Sequence, residues 1–183
     1  MKQLDMIHHL ATVAARDGAI VVSEIGSQTQ WLYASGDRPN HLYLSGPMGM
    51  APSVALGVAL AQPQKPVLAI CGDGSLAMNL NALTTIAHMA PKNLTLAVMN
   101  NGVYELTGQV PTPTARTNWQ ALAKSLGGFA QVSSVDTKTP LAFTATNGLT
   151  LWEAKLAVGT EKAPSFPLTP EEVHRRFKAF LHT

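Results

Sequence analysis

The sequence predicts one α/β domain over residues 1–183: a doubly wound, mostly parallel sheet with helices on both faces. Three observations carry that expectation. Short, largely apolar runs, among them Val67–Cys71 and Leu94–Met99, read as buried strands and alternate with stretches of helical periodicity. Several of these strands end in glycine-marked turns that open directly into a helix. The chain has 183 residues, 46% of them hydrophobic and 13% charged, which is enough for one well-cored domain and too little for two large ones.

Taken in order, Met1–Arg16 reads as a helix with Leu4, Ile7, His8, Ala11 and Ala14–Ala15 on one face and Gly18 as its stop. Adjacent helical residues point about 100° apart, so His8 and His9 read as solvated surface, not as a metal pair. Ala19–Val22 is a strand that runs into Ser23-Glu24-Ile25-Gly26-Ser27-Gln28, and Gln30–Ala34 looks helical. A glycine turn at a helix N-terminus can present N–H groups to a phosphate, and it can equally be a well-capped connection. Trp31–Asn40 is turn-rich. His41–Leu44 is the next strand, followed by Ser45-Gly46-Pro47-Met48-Gly49-Met50 and a small-residue helix over Ala51–Ala61, where Ala51, Ala55, Gly57 and Ala59 permit close packing.

After a surface turn at Pro63–Pro66 comes the central βαβ unit. Strand Val67–Cys71 ends in Gly72-Asp73-Gly74-Ser75. A helix follows with Leu76, Leu80, Leu83, Ile86, Ala87 and Ala90 on one stripe, and strand Leu94–Met99 ends in Asn100-Asn101. Parallel strands place Asp73 and the asparagines at the same carboxyl edge of the sheet, where open α/β sheets bind ligands. One carboxylate, one carboxamide oxygen and a backbone carbonyl are hard oxygen ligands of the kind Mg²⁺ takes together with phosphates and water. Gly72 and Gly74 let the backbone approach a phosphate, and Ser75 opens the helix. The plainer reading is a strand–turn–helix with Asp73 as a cap and Asn100-Asn101 as a turn; the joint pattern favours the ligand site. Cys71 reads as a buried thiol without an activating base, and His88 as a helix C-terminal cap.

Beyond Asn101, Gly102–Gln109 and Pro111-Thr112-Pro113-Thr114 form a helix-breaking loop that could line a substrate entrance, with Thr107 and Gln109 as neutral donors and Arg116 as the nearest cation. Thr117-Asn118-Trp119-Gln120 reads as a capping box for the helix Asn118–Leu126, which Gly127-Gly128 ends. Phe129–Val132 reads as a strand, Thr139–Asn147 as a helix and Leu149–Val158 as the last strand. An irregular arm, Gly159–Leu168, leads to a second capping box at Thr169-Pro170-Glu171-Glu172 and a terminal helix to Leu181.

Gly72-Asp73-Gly74, a gap of 25 residues and then Asn100-Asn101 resemble the cofactor motif of the thiamine diphosphate-dependent decarboxylase and acetolactate synthase superfamily. Within it the chain is most similar to the sulfopyruvate decarboxylase β-subunit family and to the C-terminal half of the phosphonopyruvate decarboxylases. The resemblance implies a thiamin diphosphate-binding fold, with the whole chain as the diphosphate- and Mg²⁺-binding domain. It implies Asp73, Asn101 and the Val103 carbonyl as metal ligands, with Asn100 as a possible substitute for Asn101. Gly26, Ser27 and Gln28 would join Gly72, Asp73, Gly74 and Ser75 around the diphosphate. The segment from Gly46 to Gly49 would carry two catalytic roles. The Gly46 carbonyl would accept a hydrogen bond from the aminopyrimidine, and Met48 would wedge beneath the cofactor and hold its rings in a bend. Met48 as simple core is the alternative. Glu24 resembles an acidic position of the family, and its role stays open.

The activity implied is non-oxidative decarboxylation of an anionic 2-oxo acid, sulfopyruvate to sulfoacetaldehyde and CO₂. Phosphonopyruvate and an acetolactate synthase-like carboligation are rivals, and a non-catalytic nucleotide-binding regulatory subunit is a rival of another class. No residue here matches the glutamate that activates the aminopyrimidine. The resemblance therefore implies a hetero-oligomer, with an α subunit that carries the pyrimidine-binding domain and that glutamate.

A formal charge of +2 with interspersed signs gives no nucleic-acid signature. No segment approaches about 18 uninterrupted apolar residues, so no membrane span is expected. Asp5 and the His8–His9 pair argue against a secretory signal, and a lone Cys71 suits a reducing, cytoplasmic compartment.

Overall fold

The structure is a computed structural model that describes residues 1–182. Its elements are α1 (Gln3–Asp17), β1 (Ile20–Ser23), α2 (Ser27–Ala34), β2 (His41–Tyr43), α3 (Ala51–Ala61), β3 (Val67–Gly72), α4 (Asp73–Met78), α5 (Ala82–Met89), β4 (Leu94–Asn100), β5 (Val103–Tyr104), β6 (Val110–Pro111), α6 (Trp119–Leu126), β7 (Gln131–Ser134), β8 (Thr150–Lys155) and α7 (Pro170–Leu181). Six strands pair in the order β2-β1-β3-β4-β8-β7, all parallel, and β5 and β6 form a small antiparallel ribbon beside them.

The strands are apolar because both faces of the sheet are covered. Successive residues point to opposite sides. Ile20, Val22, Ala69, Cys71, Leu96 and Val98 enter the core beneath α3, α5 and α6. Val21, Leu68, Ile70, Ala97 and Met99 enter the other core, beneath α1 and α2. α7 packs on β2 and sends Phe177 to the first core and Val173 to the second, so it lies across the end of the sheet. The chain leaves β1 toward β2 on one side, then returns to place β3 on the other. That reversal opens a crevice at the carboxyl ends of β1 and β3.

The expected architecture holds, with five local differences. The helix after Asp73 is not continuous: Asn79–Asn81 is a turn between α4 and α5, so Leu80 is exposed and Ala90 is the left-handed C-cap of α5. The segment expected as a helix over Thr139–Asn147 is extended. Asp136 accepts hydrogen bonds from the backbone N–H groups of Lys138 and Thr139, which closes a local turn, and Pro140 follows. The extended chain is then strapped to the end of α1: Arg16 donates to the Leu141 carbonyl, and the Asp17 carboxylate accepts from the Phe143 N–H. Leu141 and Phe143 are buried there, with Phe143 5.2 Å from Trp152. α6 is capped by the Asn118 side chain on the Ala121 N–H, not by a capping box at Thr117. The strand expected over Phe129–Val132 sits two residues later, as β7. His8 is exposed, because the buried face of α1 runs through Met6, Ile7, Leu10, Val13 and Ala14. The capping box at Thr169 forms as the sequence predicts.

Around the start of β2 a polar network runs from the partly exposed Arg176–Asp37 pair inward to the buried Tyr43 and His41. Arg176 on α7 donates to Asp37, Tyr43 donates to Asp37, and His41 Nδ1 lies 3.0 Å from the Tyr43 hydroxyl. Since Tyr43 spends its proton on Asp37, His41 donates from Nδ1, and its buried Nε2 has no partner among the described residues. Desolvation lowers the His41 pKa from 6.5 to about 4, with Asp37 opposing and Arg38 and Arg176 reinforcing the shift. The unfolded chain therefore binds a proton near pH 6.5 that the folded chain refuses until about pH 4. Stability should fall as the pH drops through that window, by on the order of 3 kcal/mol in all. Urea unfolding across the window should show this slope, and His41→Leu should flatten it.

Candidate active site

Four segments meet above the crevice: the Ile25–Gln28 turn after β1, Met48 in the connection from β2 to α3, Gly72–Ser75 where β3 becomes α4, and the chain beyond β4. Together they line a cavity of about 220 Å³. Ten of the eleven residues expected at a cofactor lie on its wall: Gly26, Ser27, Gln28, Met48, Gly72, Asp73, Gly74, Ser75, Asn101 and Val103. The eleventh, Gly46, is exposed, with a φ of 114°, and lies outside that wall. Tyr104, Glu105, Leu106 and Thr107 complete the lining.

Asp73 is the first residue of α4 and is 1% exposed. Its Oδ2 accepts hydrogen bonds from the hydroxyls of Thr112 at 2.7 Å and Thr114 at 2.6 Å. Both threonines are buried, and their hydroxyls lie 2.6 Å apart. The other carboxylate oxygen, Oδ1, has no hydrogen-bond partner among the described residues, so it is the free oxygen of a fixed carboxylate. The threonine pair reaches Asp73 because the β5–β6 ribbon folds back, with the Thr112 N–H donating to the Gly102 carbonyl at 2.9 Å. Gly74 makes room for this return: a Cβ there would lie 2.4 Å from Tyr104 Cε1 and 2.7 Å from Thr112 Cγ2.

The two asparagines separate. Asn100, the last residue of β4, donates to the buried Glu153 of β8 at 2.8 Å. Asn101 faces the cavity, and its Oδ1 accepts the Val103 N–H at 3.1 Å, which leaves that oxygen a second lone pair. Glu24 lies outside the cavity wall and is fully buried: its Oε2 accepts the N–H groups of Gly49 and Ala51, and its Oε1 accepts that of Ile25. Burial pushes its pKa up, and these N–H groups partly oppose the shift. The Cys71 thiol is buried and inert, its pKa pushed up by desolvation. Gln109 is turned away, donating to the Gly159 carbonyl at 2.8 Å, whereas Thr107 reaches the wall.

The chemistry on offer is anion and cation binding through oxygen and N–H. No side chain of α2's N-cap residue, Gly26, caps the helix, so its first-turn N–H groups are open beside the cavity. Among the described residues no three His, Cys, Asp or Glu side chains cluster as a metal site. A cation here would draw on Asp73 Oδ1, the Asn101 carboxamide, a backbone carbonyl and oxygens of its ligand.

Residues 24–145 match the family described as "Thiamine pyrophosphate enzyme, C-terminal TPP binding domain". The chain belongs to that family. Thiamine diphosphate is accordingly the cofactor that the family's domain binds. The chain is 38% identical over 182 residues to a phosphonopyruvate decarboxylase of Streptomyces viridochromogenes, a match covering 97% of this chain and 45% of that one. It is 31% identical over 177 residues to a sulfopyruvate decarboxylase subunit beta of Methanothermobacter thermautotrophicus, covering 97% of this chain and 94% of that one. It thus spans about half of the first relative and nearly all of the second. A solved structure of a candidate thiamin diphosphate-dependent enzyme from Mycobacterium smegmatis shares the fold, with a TM-score of 0.68 and 22% identity over 86% of this chain and 32% of that one.

Thr112 and Thr114 were not singled out from the sequence as partners of Asp73. A signal was there: prolines at 111 and 113 hold the chain extended, and residues two apart on an extended chain share a face. Gly74→Ala should displace Tyr104 and Thr112 and cost about 1–3 kcal/mol in urea unfolding. Gly72→Ala should cost less, since the nearest atom to its Cβ is the tip of Gln28, 3.0 Å away.

Proposed function

We propose that this chain is the diphosphate- and Mg²⁺-holding subunit of a thiamine diphosphate-dependent decarboxylase that converts sulfopyruvate to sulfoacetaldehyde and CO₂. One observation carries the reading: segments after four different strands converge on one cavity, and the carboxylate there is fixed by two threonines with one oxygen left over. The substrate follows from the sulfopyruvate decarboxylase β subunit that the chain matches over nearly its full length. Phosphonopyruvate, named in the Streptomyces relative, is the second anion to test.

In this reading residues 1–183 work as one cofactor-binding domain. The open N–H groups of Ser27 and Gln28 receive a phosphate beside the Gly72 and Gly74 backbone, with Gly74 also leaving room for the ribbon that carries Thr112 to Asp73. Asp73 Oδ1, Asn101 Oδ1 and the Val103 carbonyl hold Mg²⁺, which completes its shell with phosphate and water. Met48 supports the rings from the cavity wall, and the Gly46 carbonyl serves the aminopyrimidine. When bound, thiamine diphosphate supplies a sink for the electron pair released with CO₂.

The activating glutamate belongs, in this reading, to an α subunit with the pyrimidine-binding domain. Glu24 is unsuited to the role because its carboxylate is engaged by three backbone N–H groups. Met50, Leu106 and Val110, neighbours of the cavity in the chain, expose apolar surface of the kind that a partner covers. A cytoplasmic location suits the free Cys71 thiol.

Purified chain should release no CO₂ from sulfopyruvate with thiamine diphosphate and Mg²⁺, and should gain activity when the partner subunit is added. General acid–base assistance, worth about 10²–10⁴-fold, is what it lacks alone. Robust turnover by the isolated chain would overturn the divided site.

Calorimetric titration separates the metal ligands. Asp73→Ala should abolish Mg²⁺-dependent binding of thiamine diphosphate, and Asn101→Ala should weaken it strongly. Asn100→Ala should leave binding nearly intact and instead lower stability by about 1–3 kcal/mol, because it strips a partner from buried Glu153. Unchanged affinity in Asp73→Ala would sink the assignment.

A further inference from the structure

The cavity wall formed by Met48 is held from behind in a way its own sequence neighbours do not explain. Gly49, the next residue, has a φ of +85° and no space for a side chain: a Cβ would lie 2.7 Å from Asn79 Cβ and 2.7 Å from the Ser75 carbonyl oxygen. Both backbone groups of Gly49 are taken by side chains from opposite directions. Its N–H donates to Glu24 Oε2 at 3.0 Å, and its carbonyl accepts from Asn79 Nδ2 at 2.8 Å. The same Glu24 oxygen takes the Ala51 N–H at 3.3 Å, capping α3 from a distance, since α3's own N-cap residue, Met50, offers no side-chain bond.

Each partner ties Gly49 to a different wall of the cavity. Glu24 immediately precedes the Ile25–Gln28 turn, and Asn79 ends the short helix that Asp73 begins. Glu24 is fully buried and makes no ion pair among the described residues, so its place there is set by the N–H groups it receives. A buried carboxylate without a cation is costly. Asn79 is also the residue at which the helix after Asp73 breaks off, so the break is what brings its carboxamide onto Gly49.

We propose that Glu24 and Asn79 are positioning residues that clamp the Gly49 peptide from both sides and thereby fix Met48 on the wall of the cofactor cavity. The proposal rests on the reading of this cavity as the thiamine diphosphate site. The clamp sets the distance of Met48 from the Gly26 turn and from Asp73, and it leaves the diphosphate and metal contacts untouched. Its loss should therefore fall on turnover and not on cofactor affinity.

The test uses Glu24→Leu, which removes the acceptor oxygens at similar volume, and the near-isosteric Asn79→Asp. Asn79→Asp sets a carboxylate oxygen against the Gly49 carbonyl. In the cofactor-free chain, hydrogen exchange at the Gly49 and Ala51 amides should quicken at least about tenfold in Glu24→Leu, as a bond worth about 1.4 kcal/mol is lost. In the complex with the partner subunit, each variant should lower kcat about tenfold or more, while KM and the Mg²⁺-dependent affinity for thiamine diphosphate stay within about threefold. In a Met48→Ala background the same substitutions should cost little further kcat, since residues that act through one another are non-additive. If Glu24→Leu does not fold, Asn79→Asp, at a partly exposed residue, carries the kinetic arm. Unchanged exchange with unchanged kcat, or full additivity with Met48→Ala, would overturn the clamp. Failure of the wild-type complex to bind thiamine diphosphate would instead strike the reading of the cavity, and the exchange measurement would still judge the clamp.

Discussion

The carboxyl edge of the sheet is organised by one buried carboxylate that is only half satisfied. Asp73 sits at the end of a strand covered on both faces, where an unpartnered charged oxygen is expensive. Two threonine hydroxyls meet that cost on Oδ2, and to deliver them the chain beyond β4 has to double back as the β5–β6 ribbon. The route of that ribbon carries Asn101 and Val103 onto the cavity and sets Tyr104 against Gly74. The side chains around the cavity are thus arranged as a consequence of satisfying Asp73 on one side while leaving it open on the other.

Elements whose structure is decided locally, or by strand periodicity, were legible in the sequence. The strands from β1 to β4, the small-residue helix α3 and the capping box of α7 fall where pattern and cap chemistry put them. The motif glycines and Asp73 were legible because their spacing implied a common edge. The failures share a cause. At Leu80 the apolar period continued across the point where the helix breaks and the Asn79 carboxamide donates to the Gly49 carbonyl. At Thr139–Asn147 a helical pattern yielded to tertiary bonds from Arg16 and Asp17, more than a hundred residues away. The roles of Thr112, Glu24 and Asn79 depend on what folds beside them, and no local window contains that.

The division between Asn100 and Asn101 has the same character. Sequence alone leaves two adjacent carboxamides equivalent. The pairing of β4 with β8 runs through Asn100 and gives its side chain to Glu153, whereas Asn101 lies past the last paired residue, on the cavity wall. Where the strand ends, not the motif, distinguishes them.

The placement of α7 bears on how this chain can associate. A parallel sheet has two edges, each a row of unpaired N–H and C=O groups that could template a neighbouring strand. At β2, α7 lies across the end of the sheet, with Phe177 and Val173 anchored in the two cores. At the opposite edge, β7 is only four residues long, Gln131-Val132-Ser133-Ser134, and partly exposed, too short and too polar to recruit another chain well. Growth by continuing the sheet is therefore blocked at one margin and poor at the other. Aggregation by strand addition is thereby suppressed.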